Sequence, residues 1–125
     1  MNVQDLMWAH VITAESGSLA SHAGIRMTVN KLSGLPVVDS ENTLMGIVTE
    51  FDLIRALRAD RDLAVTSVDE LMTEDVISVD PNTSFDEVME SLERERILRV
   101  PVVSDGRLVG VVSRSDVLEA ALRGA

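Results

Sequence analysis

The chain has 125 residues, of which 46% are apolar and 26% charged, and its net charge is −10. That balance is typical of a globular domain, and no apolar run approaches the roughly 18 residues of a membrane-spanning helix. The absence of cysteine excludes disulfides, thiolate chemistry and sulfur-ligated zinc, and an acidic surface repels nucleic acid and anionic membrane as main partners.

The opening MNVQDLMWAH holds an acid and no basic stretch, unlike a signal peptide, so a cytoplasmic location is expected. A short strand is predicted at Val11–Thr13 and a helix over 18–32. Two apolar runs, LPVV and LMGIV, then flank a turn, and a helix closes the set at about 50–59. The polar stretch RADRDLAV follows. Ser67-Val68-Asp69-Glu70 reads as a capping box opening a short helix into Leu71-Met72. The same series then recurs: a strand at Val76–Val79, a helix over 84–96, the runs VPVV and LVGVV around Asp105-Gly106, and a helix at 114–123. Asp-Gly between two apolar runs is a strong hairpin signal.

The recurrence is a tandem repeat. At an offset of 65, Leu6-Met7 falls on Leu71-Met72, Val11-Ile12-Thr13 on Val76-Ile77-Ser78, and Pro36-Val37-Val38 on Pro101-Val102-Val103. One residue is lost in the turn. At an offset of 64, Leu44, Gly46, Val48 and Asp52 fall on Leu108, Gly110, Val112 and Asp116. The repeats are assigned to 1–64 and 65–125. About 60 residues bury too little surface to stand alone, so the copies are expected to share a core. Their first helices differ. Phe85, Val88, Met89 and Leu92 make a clean apolar face. The matching positions Ala20, Ala23, Gly24 and Met27 are mostly small, which fits either a thinly packed helix or a close approach by another backbone, as at a subunit contact.

Thr49-Glu50-Phe51-Asp52 and Ser113-Arg114-Ser115-Asp116 each allow two readings. Structurally, both are capping-box variants in which a hydroxyl and an acid satisfy the start of a helix. Functionally, free N–H groups at a helix start attract an anion. A hydroxyl there can donate to phosphate, and a carboxylate one turn in can accept both hydroxyls of a vicinal diol. Gly46 and Gly110 admit a ligand or another backbone at close range. Such a pattern suits a ribonucleotide better than bare phosphate. His10 and His22 read as surface groups, and Trp8, at the place of Thr73, as partly packed or able to stack on a base.

DLM…VIT and ELM…VIS, GLPVVD and RVPVVS, and GIVTEFD and GVVSRSD occur in this order, twice. With these segments the chain resembles a cystathionine-β-synthase (CBS) domain pair, or Bateman module, over about residues 3–123. The resemblance implies an α/β (α+β) fold of two β-α-β-β-α repeats packed sheet to sheet with pseudo-two-fold symmetry and two clefts. It implies an adenosine ligand: AMP, ADP, ATP, S-adenosylmethionine or an NAD-like molecule, without a required metal. Asp52 and Asp116 would hold ribose hydroxyls, and Thr49 and Ser113 would contact phosphate. Ile12-Thr13 with Leu35, and Ile77-Ser78 with Val100, would line the base pockets. Arg99 and Arg114 stand where the first copy has Gly34 and Glu50, so a phosphate-bearing ligand should prefer the Asp116 site. The expected role is that of a homodimeric regulatory module acting on a protein effector. The alternative is a ligand-free dimerisation or interaction module. No Ser–His–Asp set, Cys–His pair, metal-spaced His cluster or Walker loop points to an enzyme.

Overall fold

In the computed structural model, which describes residues 1–124, the apolar runs around each turn form antiparallel hairpins. In chain order the elements are β1 (Ala14–Glu15), α1 (Ala20–Asn30), β2 (Gly34–Val38), β3 (Leu44–Thr49), α2 (Glu50–Arg58), α3 (Phe85–Glu95), β4 (Arg99–Ser104), β5 (Arg107–Ser113) and α4 (Arg114–Gly124). Short 3-10 turns lie at Val3–Asp5 and Val68–Glu70. The second hairpin turns at Asp105 and Gly106, both at positive φ, as its sequence requires. The Ser67 capping box forms as expected, with Glu70 reaching back to the Ser67 N–H. No described helix is long and apolar enough to cross a membrane.

The chain forms two compact units: Ile12–Val76, and Met1–Val11 together with Ile77–Ala125. In the first, β2 pairs antiparallel with β3 and parallel with β1, Ala14 lying opposite Val37. Its core gathers Ala20, Ala23 and Met27 of α1 with Leu35, Val37, Val48, Leu53 and Val68. The small residues of α1 thus serve packing inside the unit, and a Cβ on Gly24 would stand 3.2 Å from Leu53 Cδ1 of α2. In the second unit β4 pairs with β5, and Val3, Val88, Leu92, Val100, Val102, Val112 and Val117 fill the core.

The opening strands differ from expectation. The first is displaced from Val11–Thr13 to Ala14–Glu15, and the second shrinks to one parallel bridge, Val79 to Val102. Proline explains both. In this register the carbonyls of Ile12 and Ile77 would need the N–H of Pro36 and Pro101, which does not exist.

Each unit includes an opening strap from the other sequence copy. Trp8 bridges Val111 through two backbone hydrogen bonds of 2.9 and 3.0 Å, and Thr73 bridges Ile47 through two of 2.8 and 2.9 Å. The straps lie directly over the two motif glycines. A Cβ on Gly46 would sit 2.6 Å from the Thr73 carbonyl oxygen and 2.8 Å from Met72 Sδ. On Gly110 it would meet Met7 Sδ at 2.6 Å and the Trp8 carbonyl oxygen at 3.0 Å. Of the two occupants the glycines could admit, another backbone is the one that lies against both.

Candidate functional site

Each group of residues singled out above falls within one compact unit. In Ile12–Val76, β3 delivers Thr49 to the start of α2, where the Thr49 side chain accepts from the Asp52 N–H at 3.3 Å. Asp52 Oδ2 accepts the Thr49 N–H at 2.7 Å and its hydroxyl at 3.0 Å, and Oδ1 pairs with the Arg55 guanidinium one turn on. Asp52 is only 5% exposed. This carboxylate therefore completes a full capping box and a local ion pair. Gly34, opposite Thr49 on the ladder, has room for little more, since a Cβ there would lie 3.2 Å from Thr49 Cγ2.

In the other unit β5 delivers Ser113 to the start of α4. Asp116 donates its N–H to Ser113 Oγ at 3.1 Å, and Asp116 Oδ2 accepts the Ser113 N–H at 2.8 Å. The second oxygen is held differently. Oδ1 accepts the Trp8 indole Nε1–H at 3.0 Å, while Trp8 itself is 64% exposed. Arg99 lies directly across the ladder from Ser113, so Arg99, Ser113, Arg114 and Asp116 share one end of the β4–β5 hairpin. Arg99 and Arg114 are exposed, and neither guanidinium has a hydrogen bond or ion pair among the described residues. Arg114 also lines an apolar groove of about 510 Å³ between α3 and α4, with Met89, Val117 and Leu118.

The residues expected along the base pockets divide into two kinds. Leu35 and Val100 are fully buried side chains of the two cores, so only their backbone remains for a ligand. Ile12 and Ile77 are exposed at 38%, and each stands two residues before the one that pairs with β2 or β4. Thr13 is half-buried and its carbonyl accepts the Arg26 guanidinium; Ser78 is exposed. His10 and His22 are both exposed.

Three groups escaped the sequence reading. Arg55 stands three residues after Asp52, a spacing that signals an ion pair. The link between Trp8 and Asp116 spans 108 positions and has no local signature. Asp69 was seen only as part of a cap. In the structure its carboxylate accepts the Ser16 hydroxyl at 2.5 Å and the Gly17 N–H at 2.6 Å, fastening the turn after β1. Partial burial opposes ionisation of Asp69, but the bonds from Gly17, Ser16 and Ser67 outweigh it and hold its carboxyl below the ordinary range. Among the described residues no cluster of three His, Asp or Glu side chains could hold a metal ion.

The sequence profile of the CBS domain matches residues 3–59 and again 68–123. Protein MJ1225 of Methanocaldococcus jannaschii is 33% identical over 117 residues, covering 94% of this chain, which spans 41% of that relative's length. The CBS domain pair of protein MJ0100, solved with 5′-methylthioadenosine and S-adenosyl-L-methionine, superposes with a TM-score of 0.84 at 28% identity, covering 100% of this chain and 98% of that one. CBSX2, solved in complex with AMP, superposes with a TM-score of 0.86 at 28% identity, covering 98% of this chain and 96% of the other.

Proposed function

The chain belongs to the CBS domain family, and we propose that it is a regulatory module that binds an adenosine nucleotide, AMP, ADP or ATP, and passes its occupancy to a protein effector. The reading assigns it no catalytic step and places it in the cytoplasm. S-adenosylmethionine or an NAD-like molecule would use the same adenosine contacts.

The observation that carries this reading is the polar constellation at the start of α4. Asp116 would accept ribose hydroxyls, the Ser113 hydroxyl and the positive end of the α4 dipole would hold phosphate, and the two unpaired guanidinia, Arg99 and Arg114, would neutralise it. The base would lie along Ile77-Ser78 and the backbone at Val100. The equivalent set, Asp52, Thr49, Ile12, Thr13 and Leu35, is weaker. Its carboxylate is buried and ion-paired, and no arginine faces it from the positions of Gly34 and Glu50. A ligand that favours one conformation of the module would bias the effector by about 1–3 kcal/mol, the usual size of such a coupling.

Exposed apolar residues on the helices support a homodimer. Ile25 and Val29 on α1, Phe51 and Ile54 on α2, and Leu118 and Leu122 on α4 are all at least half exposed.

One observation favours a ligand-free dimerisation module instead. Both motif carboxylates already have hydrogen-bond partners inside their own units. Isothermal titration with AMP separates the readings. The nucleotide reading expects binding that is lost in Asp116→Ala and kept in Asp52→Ala. Absence of binding in the unsubstituted protein, together with no thermal shift from ATP, S-adenosylmethionine or NADH, favours the ligand-free module. A ligand at 100 times its Kd adds about 2.7 kcal/mol, so the shift would be plain.

A further inference from the structure

We propose that the Trp8 indole is a built-in competitor for the Asp116 carboxylate and sets how readily that site accepts a ligand. The proposal rests on Asp116 as the ribose-binding carboxylate, and it adds the residue that controls access to it. Oδ2 of Asp116 accepts the Ser113 N–H within the helix cap, and Oδ1 accepts the indole Nε1–H from the strap at 3.0 Å. A vicinal diol engages a carboxylate by donating to both oxygens, so it meets the indole first.

The indole is held in a way that lets it leave. Its backbone is fixed to Val111 by two hydrogen bonds, but the residue is 64% exposed and the carboxylate bond is the hydrogen bond its side chain makes. Rotation about the side chain breaks one hydrogen bond and leaves the strap in place. A hollow of about 280 Å³, bordered by Trp8, Asp116, Glu119 and Arg123, opens beside the contact. The fold does not require the indole. In the other unit the strap makes the same bridge to β3 with Thr73 in Trp8's place, and Asp52 takes Arg55 of its own helix instead. The tryptophan contact is thus an addition to the shared framework.

The test compares the unsubstituted protein with Trp8→Phe, which keeps an aromatic ring and removes the N–H donor. AMP affinity is measured by calorimetry, and the single indole N–H resonance is followed by NMR in the unsubstituted protein. Removing a solvent-exposed competing hydrogen bond should tighten AMP binding about three- to tenfold. AMP should also move the indole resonance toward its position in Asp116→Ala. Binding by Trp8→Phe alone would support the proposal most strongly. Equal or weaker binding by Trp8→Phe, with the unsubstituted protein binding AMP, overturns the competitor and leaves the nucleotide reading standing. Binding by neither protein overturns the nucleotide reading and the competitor with it.

Discussion

Replacing Gly46 with alanine tests whether the motif glycine exists for the strap. The added Cβ would stand 2.6 Å from the Thr73 carbonyl oxygen, about 0.9 Å inside the roughly 3.5 Å at which such atoms rest. Its closest neighbour is backbone, so no side-chain rotation relieves the clash, and β3 and the strap must part. The two Ile47–Thr73 hydrogen bonds, 2.8 and 2.9 Å long, are the first casualties. Each contributes about 0.5–1.5 kcal/mol net, and overpacking costs about 1–3 kcal/mol more. The lower unfolded-state entropy of alanine returns about 0.4–1 kcal/mol. A loss of about 1–5 kcal/mol remains, equivalent to about 4–20 °C in melting temperature for a chain of this size. Differential scanning calorimetry measures the drop, and amide exchange at Ile47 and Thr73 locates it. Gly110→Ala provides the internal comparison. Its closest contact is the thioether of Met7, which can rotate away, and the Trp8 carbonyl is 0.4 Å farther off than its counterpart. About half the loss is expected there. A Gly46→Ala protein that melts within about 2 °C of the original, with both amides still protected, would refute the assignment.

Asp69 makes stability depend on acid. Its folded carboxyl titrates below the ordinary value, so its contribution is complete above the unfolded pKa near 4 and disappears as pH falls through the lower folded value. Asp69→Asn should melt lower at pH 6 and show a shallower decline between about pH 5 and 2; an unchanged decline would remove Asp69 from the explanation. For the proposed homodimer, Leu118→Glu places a charge at an exposed α4 position. It should leave the melting temperature of the monomeric unit nearly unchanged while sedimentation velocity reports a monomer; a persisting dimer would exclude this face.

Local grammar explains why so much of the fold was legible. Asp105-Gly106 announces its hairpin, Ser67…Glu70 its cap, and the spacing of Val88, Met89 and Leu92 the buried face of α3. The misplaced first strands show where that grammar stops. Val11-Ile12-Thr13 has strand composition, but a strand exists only where a neighbour can answer its hydrogen bonds, and the neighbour's proline at 36 or 101 cannot. The exchanged straps were illegible for a related reason. A repeat in sequence records duplication, whereas a compact unit records which surfaces close on each other, and here Leu71-Met72-Thr73 and Leu6-Met7-Trp8 lie on the hairpins of the opposite copies.

The helix cap does not use up the carboxylate of the T/S-x-x-D motif. A carboxylate offers about four acceptor sites over two oxygens, and the helix cap uses only Oδ2 in either unit. What decides whether such an acid is also available to a ligand is the partner of Oδ1. In the first unit that partner is Arg55, a charged group on the same helix acting on a buried acid, so displacing it would strand charge where solvent is scarce. In the second it is a neutral indole on a separate, solvent-facing strap, and its departure leaves the cap intact. Duplication supplied two similar frames, and on the nucleotide reading one difference in each, Arg55 within the helix or Trp8 on the strap, would divide them into a structural acid and an exchangeable one.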